Sequence, residues 1–215
     1  MSAISVLALR DRLAGSALAR GGGGAVIQLL DEDALAALQR EALDVHAGAV
    51  ATLVEEGDGE DDRGGSPERA LESAVGGTVL QSLYHAEGVG DILRSLTDLA
   101  WTPSGGEGTY SYYCRPGHHL GLHRDVEECD LALFVCVLDE RPDSAGDAGA
   151  LCLYPTRAKE PLSAIRATPD VGSVYARARP GEAVVLLGGF VPHRVLPVAE
   201  GHVRVVAPLC YRATG

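Results

Sequence analysis

Apolar residues recur mostly at helical spacing through the first hundred positions. Beyond that they alternate with polar ones, or gather in short apolar runs broken by glycine, proline and aspartate. Residues 1–20 predict a short amphipathic helix with Ile4, Leu7, Leu13 and Leu18 as contacts, broken by Gly21 to Gly24, and Ala25–Leu30 predicts a strand. A helix with Asp31 or Asp33 as N-cap follows, carrying Leu35, Leu38, Ala42, Val45 and Ala49 and reaching about Leu53. Residues 55–67 are acidic and glycine-rich. They read as a mobile, solvated loop, since their acids lack the spacing of a calcium-binding EF-hand. Helical spacing returns over 67–75 and over 89–99, the latter with Ile92, Leu93, Leu96 and Leu99.

Eight short strands are predicted from there on: Thr109–Arg115, His119–Arg124, Asp130–Leu138, Ala150–Tyr154, Ser173–Ala178, Ala183–Leu187, His193–Val198 and Val203–Tyr211. Many short strands after a helical half predict a mainly β protein with N-terminal helices (α+β), its core a double-sheet jelly roll of cupin-like form. Residues 1–108 are the helical support region with one or two strands, residues 109–215 the core, and the whole one domain. The connections 139–149 and 155–172 are too polar for core and read as binding loops or lids.

Composition narrows the function classes. The 215 residues are 46% hydrophobic and 22% charged, enough for a sizeable core, with a net charge of −12. That balance disfavours a nucleic acid or an anionic membrane as partner, because either needs a basic surface. It leaves a small-molecule substrate open, since one buried Arg can hold an anion. No secretory signal pattern and no apolar run of membrane-spanning length is present, so a cytoplasmic location is expected. The five cysteines form no CxxC pair and are expected to be reduced, buried thiols.

The chemistry concentrates in TYSYYCRPGHHLGLHRD, residues 109–125. Side chains two apart on a strand share a face, so an imidazole of His123 and a carboxylate of Asp125 could take adjacent positions on one metal ion. A second imidazole would complete a 2-His-1-carboxylate facial triad, the ligand set of non-heme Fe(II) oxygenases. PGEAVVLLGGFVPHRVLP supplies it, placing His193 at the start of a strand after a glycine turn. Arg204 follows in the apolar run VRVVAPL, where a guanidinium is costly to bury unless it meets an anion. Tyr110, Tyr112 and Tyr113 offer phenols near the same place.

This ordered combination resembles the Fe(II)/2-oxoglutarate-dependent dioxygenases, in the style of the phytanoyl-CoA and prolyl hydroxylase-like branches, from about Thr109 to Arg212. The resemblance implies a double-stranded β-helix core and Fe(II) held by His123, Asp125 and His193. It further implies 2-oxoglutarate chelating the metal with its distal carboxylate on Arg204, and O2 as oxidant, with release of succinate and CO2. Halogenating members carry Gly or Ala where Asp125 stands, so hydroxylation of a small molecule such as an amino acid or secondary metabolite is implied. Tyr113 precedes His123 by ten positions, the spacing of a cosubstrate-contacting Tyr in prolyl hydroxylase-like members. Anchoring on Pro116-Gly117, as in AlkB-like members, points to Tyr112 instead. The two face opposite ways on a strand, and parity with His123 favours Tyr113.

Arg115 and Arg194 are candidates for holding an anionic substrate. His118, His119 and His202 read as neighbours of the site or surface residues, and His46 and His85 as surface or capping residues. A protein hydroxylase, or a cupin-like protein that binds metal without turnover, are the alternative readings. Arg204 argues against the latter, which has no use for a cation aimed at a dicarboxylate. Oligomeric state is not legible.

Overall fold

Helices in this chain line the outside of one curled sheet, and most of the sheet's strands are the short alternating runs of the second half. The computed structural model describes residues 6–57, 63 and 65–214, and only the backbone of residues 6–8 and 10. The first half gives α1 (Val6–Leu13), α2 (Ala17–Arg20), β1 (Gly24–Gln28), α3 (Glu32–His46), β2 (Val50–Val54) and β3 (Arg69–Val75). It continues with α4 (Thr78–Tyr84), α5 (Glu87–Thr97) and β4 (Ala100–Pro103). The second half gives β5 (Thr109–Tyr113), β6 (His119–His123), β7 (Leu131–Glu140) and β8 (Leu151–Leu153). After these come α6 (Leu162–Ala167), β9 (Val174–Ala176), β10 (Glu182–Leu186), β11 (His193–Val195) and β12 (Val203–Thr214).

All eight expected strands form. They join β1 in the order β1-β10-β7-β12-β5-β3-β6-β11-β8-β9, with β2 added to β3 and β4 to β12. The end strands β1 and β9 lie against each other, so the sheet is a nearly closed barrel of jelly-roll type. The face of β7, β10 and β12 turned to the helices is tightly packed, with Leu133, Val135, Val185, Ala207 and Leu209 almost wholly buried. Truncating one such leucine to alanine typically costs about 2–5 kcal/mol.

The first half departs from expectation in three places. α3 starts at its N-cap Asp31, which accepts from the Ala34 amide at 2.8 Å, with Glu32 and Asp33 favourably placed in the first turn. It ends at His46 rather than near Leu53. Gly48 weakens the helix, and the β-branched Val50, Thr52 and Val54 then favour the extended chain of β2. Residues 69–75, read as helical, form β3. The buried Leu71 and Ala74 lie three apart, which mimics a helix face. Ladder bonds to three neighbouring strands override that pattern. β2 covers one edge of β3. Its other edge pairs with β6 through Arg69 and Ala70, and with β5 through Glu72 to Val75. Finally, β4 and α4 were not anticipated, so the first 108 residues contribute four strands, not one or two.

Leu13 and Leu18 are buried as expected, whereas Ile4 and the side chain of Leu7 lie outside the described residues. So do 58–62 and 64 of the acidic loop. The connection 155–172 is not simply polar, because α6 buries Leu162 and Ile165 against Leu122, Cys152 and Tyr154 on the outer face of β6 and β8. No helix among the described residues is long and apolar enough to cross a membrane.

The cysteines are not all free. Cys129 is bonded to Cys210, while Cys114, Cys136 and Cys152 are thiols. The turn that leads into β7 makes the approach: the Asp130 amide donates to the Tyr211 carbonyl of β12 at 3.1 Å, and the Cα atoms of Cys129 and Cys210 come to 4.9 Å across 81 positions of sequence. A cross-link closing so long a loop contributes about 4 kcal/mol on the chain-entropy view.

Candidate metal centre

The antiparallel pair β6–β11 places His193 directly opposite His123. A register shift in this pair lets Val195 face Leu120, so Leu120 and His123 share a face although they are three apart. The two rings lie 4.2 Å apart between centroids. Asp125 sits beyond the end of β6, so strand pleat does not set its direction. Its backbone amide donates to the Gly188 carbonyl at 3.0 Å, and this swings the carboxylate back over the rings. Asp125 Oδ1 is 3.5 Å from both His123 Nε2 and His193 Nε2.

The imidazole tautomers follow from their other contacts. Nδ1 of His123 donates to the Gly121 carbonyl at 2.8 Å, and Nδ1 of His193 to the Val191 carbonyl at 3.0 Å. Burial, and then the neighbouring His193, hold the His123 imidazole below its usual value, so it is neutral at pH 7. Burial opposes ionisation of Asp125, but the facing His193 and His123 outweigh it and keep the carboxyl well below the usual carboxylate range. With each Nδ1 turned to a carbonyl, the two Nε2 atoms and a carboxylate oxygen converge on one point. His193 Nε2 is fully buried and has no partner. Three acceptors turned on one another are unfavourable unless a cation lies among them. Among the described residues, this is the group of His, Cys, Asp and Glu side chains able to hold a metal ion. The donor set fits a facial triad, with the Nδ1–H bonds supplying the orienting outer contacts.

How tightly the carboxylate is framed shows only in the fold. A Cβ at Gly188 would fall 1.8 Å from Asp125 Oδ2, and one at Gly189 would fall 2.5 Å from Cζ of Arg63. Arg63, from the acidic loop, reaches beneath the 125–130 turn. It donates to the carbonyls of Asp125 (3.1 Å), Val126 (2.7 Å), Glu127 (3.2 Å) and Cys129 (2.8 Å). It also pairs with Asp130 at 2.9 Å, each side chain only 10% exposed. Breaking a buried pair of this kind leaves an uncompensated charge and costs about 3–5 kcal/mol. Arg63→Ala is therefore expected to lower the thermal midpoint and weaken metal binding about tenfold, because the turn carrying Asp125 loses its anchor. Arg63→Lys should not restore either, since an ammonium cannot span five acceptors. Thermal melts and metal titration of the two variants check this.

Arg204 stands opposite Tyr113 in the β12–β5 ladder, and the two share a face, with the guanidinium 5.8 Å from the ring centroid. Arg204 is 6% exposed and makes no hydrogen bond or ion pair with a described residue, and its Nη1 is wholly buried. Burial pushes the Tyr113 phenol up to about 12, so it stays a neutral donor. Tracing the register through β3 places Tyr113, Arg69, Leu120 and His123 on one face of the sheet. Arg69, not singled out from sequence, is half-buried there and without an ionic partner among the described residues.

Three expected site residues lie elsewhere. Tyr112 faces α3, donating to the Ala42 carbonyl at 2.7 Å and stacking on His46. Arg115 is 72% exposed and pairs with Glu72 on that same side. Arg194, alternating with His193 on β11, points to the outer face over the Tyr154 ring. The remaining histidines have structural partners. His46 bonds Glu72, His119 bonds Glu68, His118 meets backbone at Tyr112 and Cys114, and His202 bonds Asp139. None joins the His–Asp–His group.

No family model matches the sequence, and no curated protein matches it. Solved structures do match in fold. A prolyl-4-hydroxylase from Pseudomonas putida is 17% identical, with a TM-score of 0.59, over 98% of this chain and 100% of that one. The epimerase SnoN, in complex with Fe3+, alpha ketoglutarate and nogalamycin RO, is 15% identical with a TM-score of 0.67, over 97% and 84%. AviO1 from Streptomyces viridochromogenes is 18% identical with a TM-score of 0.64, over 100% and 99%. At these identities the likeness establishes the jelly-roll fold.

Proposed function

We propose that this chain is an Fe(II)- and 2-oxoglutarate-dependent oxygenase that hydroxylates a small molecule. The observation that carries the reading is the convergence of His123, Asp125 and the wholly buried His193, whose Nε2 has no hydrogen bond, on the same curled sheet as the unpartnered Arg204. A structural cluster would have no reason to leave both unsatisfied. The neighbours in fold include a prolyl-4-hydroxylase and a protein solved with Fe3+ and alpha ketoglutarate, which supports the assignment.

His123, Asp125 and His193 would hold the iron on one side, leaving its other positions open. Bound Fe(II) supplies the oxidative chemistry: 2-oxoglutarate, O2 and a substrate C–H become succinate, CO2 and a C–OH. Arg204 would hold the distal carboxylate of 2-oxoglutarate, with the neutral Tyr113 hydroxyl as a further donor. The Asp125 carboxylate fills the position a halide would need, which favours oxygen transfer. Arg69, on the same face, is suited to an anionic group on the substrate.

Anaerobic titration of the protein with Fe(II) and then 2-oxoglutarate tests the reading. A weak visible metal-to-ligand charge-transfer band, followed by succinate release in air, is expected. If Fe(II) binds but 2-oxoglutarate produces neither band nor affinity, a metal-binding cupin-like protein takes its place.

A further inference from the structure

The β7–β12 ladder sets an acid beside the cation assigned to the cosubstrate. Asp139 is the Cα partner of Arg204, directly opposite it, so the two side chains leave the same face of the sheet. Their Cβ atoms in such a pair are about 5 Å apart, within easy reach of an Arg–Asp ion pair. None forms. Asp139 Oδ1 instead takes a hydrogen bond from Nε2 of His202 at 2.7 Å, and Oδ2 lies 4.0 Å from Arg177 Nη1. Arg177 is itself tied to the carbonyls of Gly146 (3.1 Å) and Ala148 (3.3 Å).

The chain is shaped to seat His202. The ring is 1% exposed, and Gly149, at φ +69°, gives it room: a Cβ there would lie 2.7 Å from His202 Cε1. Of the other groups around Arg204 and Cys136, the Glu182 carboxylate is taken up by the Arg179 amide at 2.7 Å, and the rest are uncharged. Burial raises both the Tyr113 phenol and the Cys136 thiol to about 12. Asp139 is the acid that would quench Arg204 if released, and two side chains hold it back.

We infer that His202 and Arg177 are positioning residues: they hold Asp139 off Arg204 and so keep the guanidinium open for the distal carboxylate of 2-oxoglutarate. The inference rests on the functional reading above. Neither residue touches the cosubstrate. Their loss acts through Asp139, which predicts that removing the charge of Asp139 reverses the effect.

The test is calorimetric titration of 2-oxoglutarate into anaerobic Fe(II)-loaded protein, comparing wild type, His202→Leu, Asp139→Asn and the double variant. His202→Leu is expected to weaken 2-oxoglutarate binding by at least about tenfold with metal affinity unchanged, while Asp139→Asn stays within about threefold of wild type. The double variant should return to within about threefold, because an amide cannot neutralise a guanidinium. Arg177→Met, at a less buried position, gives the same comparison with and without Asp139→Asn should His202→Leu fail to fold. A double variant as weak as the single one, or single variants that bind like wild type, overturns the inference while leaving the oxygenase reading intact. A wild-type protein that does not bind 2-oxoglutarate overturns both.

Discussion

His193→Ala is expected to abolish stable metal binding while leaving the metal-free protein folded. His193 is wholly buried, and its Nε2 makes no hydrogen bond. Loss of a direct ligand should weaken Fe(II) or Mn(II) by more than a hundredfold, since even outer contacts to a ligand are worth about ten- to a hundredfold. The effect on the metal-free fold works the other way. Truncation leaves a cavity, but it also relieves an acceptor that faces a carboxylate 3.5 Å away. The two partly cancel, so thermal midpoints without metal should differ little. What should vanish is the rise in midpoint that a tightly bound ion gives by mass action. Melts of wild type and variant, with and without Mn(II), separate the terms. A variant whose midpoint still rises with metal would show that the ion sits elsewhere.

Arg204→Met should separate cosubstrate from metal. Fe(II) affinity is expected to be unchanged, the charge-transfer band lost, and 2-oxoglutarate affinity reduced by at least about a hundredfold, consistent with loss of a desolvated bidentate pair. Arg204→Lys should not rescue it, because an ammonium cannot reproduce the fork. Stability should move in the opposite direction. A buried guanidinium without an ionic partner destabilises the metal-free, cosubstrate-free protein, and an apolar chain of similar length removes that penalty. Urea denaturation should show the methionine variant to be the more stable. Affinity for 2-oxoglutarate at the wild-type level, or a fall in stability, would place Arg204 in a packing role.

The sequence made the second half of the chain readable, and with it the candidate metal centre, for definite reasons. Period-two alternation and turn residues at regular intervals mark strands, and each expected strand from Thr109 onward formed. His123, Asp125, His193 and Arg204 stood out because polar groups in apolar runs need a partner. What failed to show was whatever depends on register between distant segments. The Cys129–Cys210 bond and the Arg63 clamp span 81 and 62 or more positions, and no local pattern encodes either. Arg115 and Arg194 looked equivalent to Arg204 in strand context, and only the ladder pairing reveals that they face outward. Parity favoured Tyr113 over Tyr112, and both lie on the faces that parity required, although a register shift in β6 intervenes. Residues 69–75 were misread because burial at every third position imitates a helix when a strand crosses a corner of the barrel.

That corner strand has a consequence for how the protein can come together. β3 alone is paired to both β5, beside Arg204, and β6, which carries His123. It is therefore a shared stave, cut from the first third of the chain and laid along both on one edge. A polypeptide trimmed to the strand-rich half would leave the shared edge of β5 and β6 bare and open to self-association. Folding must bring three remote segments together before that edge is covered, which implies a slow, highly cooperative search of high contact order. The region that looked like scaffolding is what ties the strand of Tyr113 to the strand of His123.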